Sequence, residues 1–229
     1  MSQKSVLVVD DDHLVCWALR KELANRLLNV HIADSGAECL SVLREIRIDL
    51  VFLDIHLPDA NGIDLLKTIR EISPETRVVI ISGDGNFQGM ERALSEGVAQ
   101  YLEKPFDIRL IARIVESTFL VFPRKRKHPR YLCDIPLRLS ILAPSLEEAK
   151  FDLDSLGGTI NDVGPDGVRV KTEYPLQEGQ GVRLRVSDGG CPFSKMIPRE
   201  ATAEVVWAVS GDGMSTAGLR FLAEVPLFS

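Results

Sequence analysis

At 229 residues with 45% hydrophobic and 26% charged side chains, the chain is long enough for two ordinary globular domains and excludes a fibrous or disordered protein. No stretch is long and apolar enough to span a bilayer, and Met-Ser-Gln-Lys leads straight into an apolar run rather than a signal peptide. The net charge of −6 is unevenly divided: residues 1–120 hold 13 Lys+Arg against 19 Asp+Glu, residues 121–229 hold 14 of each, which argues against nucleic-acid binding by the first half. In chain order, the first half alternates apolar strands at about 5–9, 29–33, 49–53, 77–81 and 99–102 with helices at about 12–27, 35–46, 61–72, 87–96 and 107–120. Leu14, Trp17, Ala18, Lys21 and Leu28 approximate a helical stripe on the first helix, and Ser35 with Glu38 reads as a capping box on the second. Five βα units of this length predict an α/β, doubly wound, parallel five-stranded sheet.

After Phe122-Pro123 the helical period disappears. Alternating segments follow at 136–142, 168–172, 182–186, 203–209 and 217–221, separated by turn residues that include Gly157-Gly158, Gly164-Pro-Asp-Gly167, Glu178-Gly179, Gly189-Gly190 and Gly211-Asp-Gly213. This predicts a small antiparallel β-barrel and divides the chain into domains 1–120 and 121–229. Segment 143–157 reads as an extended loop or a short helix. Cys16, Cys39, Cys133 and Cys191 have neither metal nor redox spacing and read as free thiols of a reducing cytoplasm.

Chemistry gathers at the strand ends of the first half. Asp10-Asp11-Asp12 closes the first strand, Asp54 the third, Ser82 the fourth, and Lys104-Pro105 follows the fifth. Open α/β sheets place their sites at the carboxyl ends of the strands. Asp10, Asp11 and Asp54 supply hard oxygens for Mg²⁺. Asp54 is then the nucleophile for an in-line phosphoryl transfer, Lys104 a point charge for phosphate and Ser82 a hydroxyl donor.

These motifs, with Leu-Asp54-x-x-Leu-Pro58-x-x-x-Gly62, resemble the receiver domain of two-component response regulators over residues 1–120. The resemblance implies that a sensor histidine kinase phosphorylates Asp54. It also implies direct Mg²⁺ ligation by Asp11, contact through water by Asp10, and a further ligand in the backbone carbonyl of His56. Ser82 and Tyr101 would form a switch pair, although Tyr101 also reads as a plain core aromatic. The Lys104-Pro105 bond is expected to be cis.

The junction Arg124-Lys-Arg-Lys-His-Pro-Arg130 holds five of the second half's bases, and the preceding helix runs almost directly into it. Arginine binds phosphate and guanine edges bidentately, and Asp162 in the later turn offers an acceptor to a guanine edge. Arg126-x-x-x-Arg130, Asp162-x-Gly-x-x-Gly167, Gly179, Val206-Trp207 and Gly218-Leu-Arg-Phe221 resemble the PilZ domain over residues 123–221. That resemblance implies a six-stranded barrel binding cyclic di-GMP through Arg126, Arg130, Asp162 and Gly167. The sequence departs from the family in Gly164, which stands where the family has Ser. A phosphorylation-controlled protein-interaction module with a degenerate PilZ barrel therefore stays open. A DNA-binding regulator is disfavoured, because no helix-turn-helix pattern follows the basic run. The whole reads as a cytoplasmic signalling protein, not an enzyme, with an unidentified downstream protein partner and no membrane insertion.

Overall fold

The computed structural model describes residues 3–83, 87–119, 130–142, 156–187, 192–195 and 197–223. The chain divides into two compact units, Met1–Arg124 and Lys125–Ser229.

The first unit alternates β1 (Ser5–Val9), α1 (His13–Ala24), β2 (Asn29–Ala33), α2 (Gly36–Glu45), β3 (Leu50–Asp54), α3 (Gly62–Ile72), β4 (Arg77–Ser82), α4 (Phe87–Ser95), β5 (Gln100–Glu103) and α5 (Ile108–Phe119). Its strands pair in parallel in the order β2-β1-β3-β4-β5. Every residue of β3 is buried, as the continuous apolar run Leu50-Val-Phe-Leu demands of a central strand covered on both faces. The edge strand β2 is half-buried.

Local polar chemistry starts the helices. Asp12 caps α1, accepting from the Leu14 N–H at 2.8 Å and the Val15 N–H at 3.4 Å. Ser35 caps α2 through the Glu38 N–H at 3.4 Å. The Glu38 carboxylate, however, accepts from the Asp34 N–H, one residue before the group a capping box uses. Asp59 accepts from the Gly36 and Ala37 N–H groups, and these two donors hold its pKa below the usual carboxylate value. Asn61 caps α3 through the Ile63 N–H.

The stripe predicted for α1 is not its buried face. Leu14 and Trp17 are 78% and 63% exposed, while Cys16, Leu19 and Leu23 turn inward. Apolar residues at helical spacing occur on two faces of this helix, and tertiary packing selects the second. The Lys21 ammonium stands 5.2 Å from the centre of the Trp17 ring. Among the described residues no helix is long and apolar enough to cross a membrane.

The second unit is a closed antiparallel barrel of β6 (Tyr131–Ile141), β7 (Leu156–Gly164), β8 (Gly167–Thr172), β9 (Gly181–Val186), β10 (Glu200–Gly211) and β11 (Met214–Phe221). Its order is β10-β11-β8-β7-β6-β9, with β9 closing on β10. In β6, Tyr131, Cys133, Ile135, Leu137 and Leu139 alternate inward. A 3-10 turn, Pro192–Lys195, brings Phe193 onto Tyr131, with ring centroids 5.3 Å apart.

Gly157-Gly158, predicted as a turn, belongs to β7 instead. Residues 143–155, and the predicted turn at Gly189-Gly190, lie outside the described residues. The turns at Gly179 and at Asp212-Gly213 have positive φ, as their residue types permit.

Candidate functional site

The sheet order brings the first unit's predicted residues to one edge. β1, β3 and β4 are adjacent, so Asp10, Asp54 and Ser82 emerge side by side, and Lys104 follows β5. Asp10 is 0% exposed and Asp54 4%, whereas Asp11 is exposed. Lys104 Nζ lies 2.8 Å from Asp10 Oδ2 and 3.4 Å from Asp54 Oδ1. Burial and the neighbouring charge of Asp10 raise the Asp54 pKa, against the pull of Lys104. Burial opposes the charge of Lys104, but the hydrogen bond and charge of Asp10, with Asp54, outweigh it and raise the Lys104 pKa.

The three predicted metal-binding carboxylates converge. One oxygen each of Asp10, Asp11 and Asp54 lies within 4.8 Å of the others. Around an octahedral Mg²⁺ ion adjacent oxygens are about 3 Å apart and opposite ones about 4 Å, so the cluster is of the size such an ion gathers. Asp10 Oδ2 and Asp54 Oδ1 are buried and face the Lys104 ammonium, and each carboxylate has further lone pairs for a cation. The residues therefore fit a hard divalent ion. Asp12 stands apart from them as the α1 cap.

Lys104-Pro105 is cis, and the Lys104 N–H donates to the Ser82 carbonyl at 2.6 Å. Ser82 is buried at the end of β4. Tyr101, buried in β5 opposite Ile80, has a place that suits either of its two readings. His56 follows Asp54 by two residues and bridges to Asn61.

On the barrel, Arg126 lies outside the described residues, while Arg130 and Asp162 meet. Arg130 Nη1 donates to Asp162 Oδ1 at 2.8 Å. The other oxygen, Oδ2, takes Arg169 Nη2 at 2.7 Å. Asp162 is thus ion-paired on both sides, and sequence reasoning missed Arg169. The available signal was its position, an Arg alternating with buried Val168 and Val170 on the strand after the Asp162 turn.

Gly167 packs so close to β11 that a Cβ there would collide with the Leu219 carbonyl. Gly218 lies beneath the Trp207 indole, which a Cβ would meet at Cδ1 at 2.9 Å. Gly167 and Gly218 are therefore close-approach positions, unlike Gly179, where a Cβ would meet nothing within 4 Å.

Comparison with known proteins bears on both units. Residues 6–116 match the family model of the response regulator receiver domain, and residues 124–226 match that of the PilZ domain. The DNA-binding transcriptional regulator NtrC of Escherichia coli (strain K12) is 32% identical over 130 residues, 57% of this chain and 28% of that protein. The cell cycle response regulator CtrA of Brucella ovis is 33% identical over 110 residues, 48% of this chain and 47% of that protein. The chain thus spans less than half the length of either relative. A crystal structure of a two-component response regulator from Clostridium difficile superposes with a TM-score of 0.50 at 26% identity, covering 52% of this chain and 97% of that one.

Proposed function

Because the chain is a response regulator, a receiver domain followed by a PilZ domain, we propose that it couples phosphorylation of Asp54 to the binding of cyclic di-GMP. The observation that supports the first half of this reading most strongly is the meeting of Asp10, Asp11, Asp54 and Lys104 at one sheet edge.

In this reading a sensor histidine kinase donates the phosphoryl group. An Asp54 carboxylate oxygen attacks phosphorus in line, the phosphorus–nitrogen bond of the kinase phosphohistidine breaks, and an acyl phosphate forms on Asp54. Asp10, Asp11, Asp54 and the His56 carbonyl hold Mg²⁺, which when bound neutralises charge on the phosphoryl oxygens. Lys104 places a second positive charge beside Asp54, and the Ser82 hydroxyl donates to a phosphoryl oxygen. Tyr101 follows Ser82 as the other half of the switch. The residues at this edge transfer the phosphoryl group to themselves, so the protein acts as a cytoplasmic signal carrier rather than an enzyme on a separate substrate.

On the barrel, Arg126 and Arg130 grip the nucleotide's phosphates and guanine edges, beside Asp162 and the close-packed Gly167. Any effect of phosphate on nucleotide affinity is matched by an equal effect of nucleotide on the phosphorylated state. An unidentified protein reads the output.

A second reading keeps the phosphorylation but gives the barrel a protein partner instead of a nucleotide. Gly164, which removes a hydroxyl from the nucleotide motif, favours it. Titration of the full chain with fluorescently labelled cyclic di-GMP at moderate salt separates the two. Saturable binding that unlabelled cyclic di-GMP displaces supports the first reading, and absence of binding in a folded protein supports the second.

A further inference from the structure

Asp162 carries a charge arrangement that the nucleotide motif alone does not account for. The side chain is 3% exposed, although β7 turns it to the outer side of the barrel between inward Ile160 and Val163. Two guanidinium groups cover it, Arg130 on Oδ1 and Arg169 on Oδ2. Two cations on one anion leave one guanidinium in excess of that carboxylate.

The two arginines are held differently. Arg130 precedes Tyr131, the first residue of β6. Arg169 sits within β8, directly across from Asp162 on β7 and from Gly218 on β11. Its backbone is fixed by strand neighbours on both sides, and its ion pair is made straight across the ladder. Arg130 lies one residue before the first pairing of β6, outside the ladder.

We infer that Arg169 is a positioning residue for the nucleotide site: it keeps the Asp162 carboxylate compensated and oriented, so that Arg130 is free to turn to an anionic ligand. The inference rests on the cyclic di-GMP reading above. A buried carboxylate stripped of its only partner is strongly unfavourable. Without Arg169, Asp162 has Arg130 alone among the described residues, and a phosphate must break that pair outright to recruit it. With Arg169 in place, Asp162 keeps one charge-assisted pair throughout, and the surplus guanidinium goes to the ligand. Arg169 acts through Asp162 and Arg130 and touches no ligand itself.

The test is calorimetric titration of the full-length protein with cyclic di-GMP. The proteins are the parent, Arg169→Met, Arg169→Lys, Asp162→Asn and the double variant Arg169→Met/Asp162→Asn, each with its melting temperature recorded. Arg169→Met is expected to weaken binding about tenfold or more, the range of a lost charge-assisted contact. Arg169→Lys is expected to recover part of that loss, because it restores the charge without the planar fork. In the double variant the loss is expected to stay near that of Asp162→Asn alone, because the residue through which Arg169 acts is already neutral. Arg169→Gln carries the same comparison if Arg169→Met does not fold. Parent-like affinity of a folded Arg169→Met or Arg169→Gln protein overturns the inference and leaves the nucleotide reading standing. So do losses that add fully in the double variant, which indicate a direct ligand contact. No binding by the folded parent overturns both.

Discussion

Gly62 lies flush against the main chain of Asp54: a Cβ at residue 62 would collide with the Asp54 carbonyl oxygen and stand 3.1 Å from the Ile55 Cα. The Gly62 N–H donates to the Ile55 carbonyl at 2.8 Å, so α3 begins pressed onto the strand that carries the acidic site. A glycine eight residues after Asp54 is thereby explained by packing, with no need of special backbone angles.

Gly62→Ala should accordingly push the Asp54 backbone away from the edge shared with Asp10. Overpacking of this kind costs about 1–3 kcal/mol. The melting temperature of the receiver unit should fall, and phosphorylation of Asp54 by a small phosphodonor should slow even well below melting. A variant as stable as the parent and labelled at the same rate contradicts this packing.

The three consecutive acids should separate cleanly. Asp12 caps α1, so Asp12→Ala should lower stability by about 0.5–2 kcal/mol and leave Mg²⁺-dependent labelling intact below the melting point. Asp11, exposed and within the carboxylate cluster, should behave in the opposite way. Asp11→Ala should lose labelling with little change in melting temperature. Melting curves with labelling assays on both variants check the pair, and equal loss of labelling in both counts against the division of roles.

Much of this was legible in the sequence, and the exceptions have physical causes. The acidic site could be read because the apolar strands end abruptly in polar residues, and a parallel sheet aligns those ends. β7 escaped notice because Gly157-Gly158 and the polar Thr159, Asn161 and Asp162 dilute its alternation. The irregularity between Ile160 and Asp162 then breaks the period of two. Alternation with Val168 and Val170 could place Arg169 on the outer face of its strand, but its partner depends on the register of β8 with β7, which no local pattern states. The face of α1 was misjudged for the related reason that packing, and not spacing, chose between two apolar stripes.

Gly164→Ser should strengthen cyclic di-GMP binding roughly two- to tenfold, the worth of one neutral hydrogen bond. The positive-φ residues of the chain include Gly167, Gly179 and Gly213 but not Gly164, so a Ser there meets no left-handed backbone. Calorimetry of the two proteins side by side measures the gain. An unchanged affinity in an equally stable variant means that position 164 does not face the ligand.

The buried thiols should be inert at neutral pH and cost stability in base. Burial, then Asp10, pushes the Cys16 thiol up to about 11; burial, then Asp59, pushes Cys39 up to about 12. Native protein at pH 8 should resist iodoacetamide at both sites and react at both in denaturant, as peptide mapping shows. In the unfolded chain these thiols lose protons near the ordinary thiol value of 9.0. The folded state holds its protons longer, so stability should fall as pH rises from about 9 towards 12. Melting temperatures of parent and Cys39→Ala across that window should show a shallower fall in the variant.

Intact-mass spectrometry after incubation with acetyl phosphate and Mg²⁺ tests whether Asp54 receives the phosphoryl group. The parent should gain the mass of one phosphoryl group, lose the gain when Mg²⁺ is chelated, and show none in Asp54→Ala. Full labelling of a folded Asp54→Ala protein, or a parent that takes up no phosphoryl group under these conditions, contradicts the account.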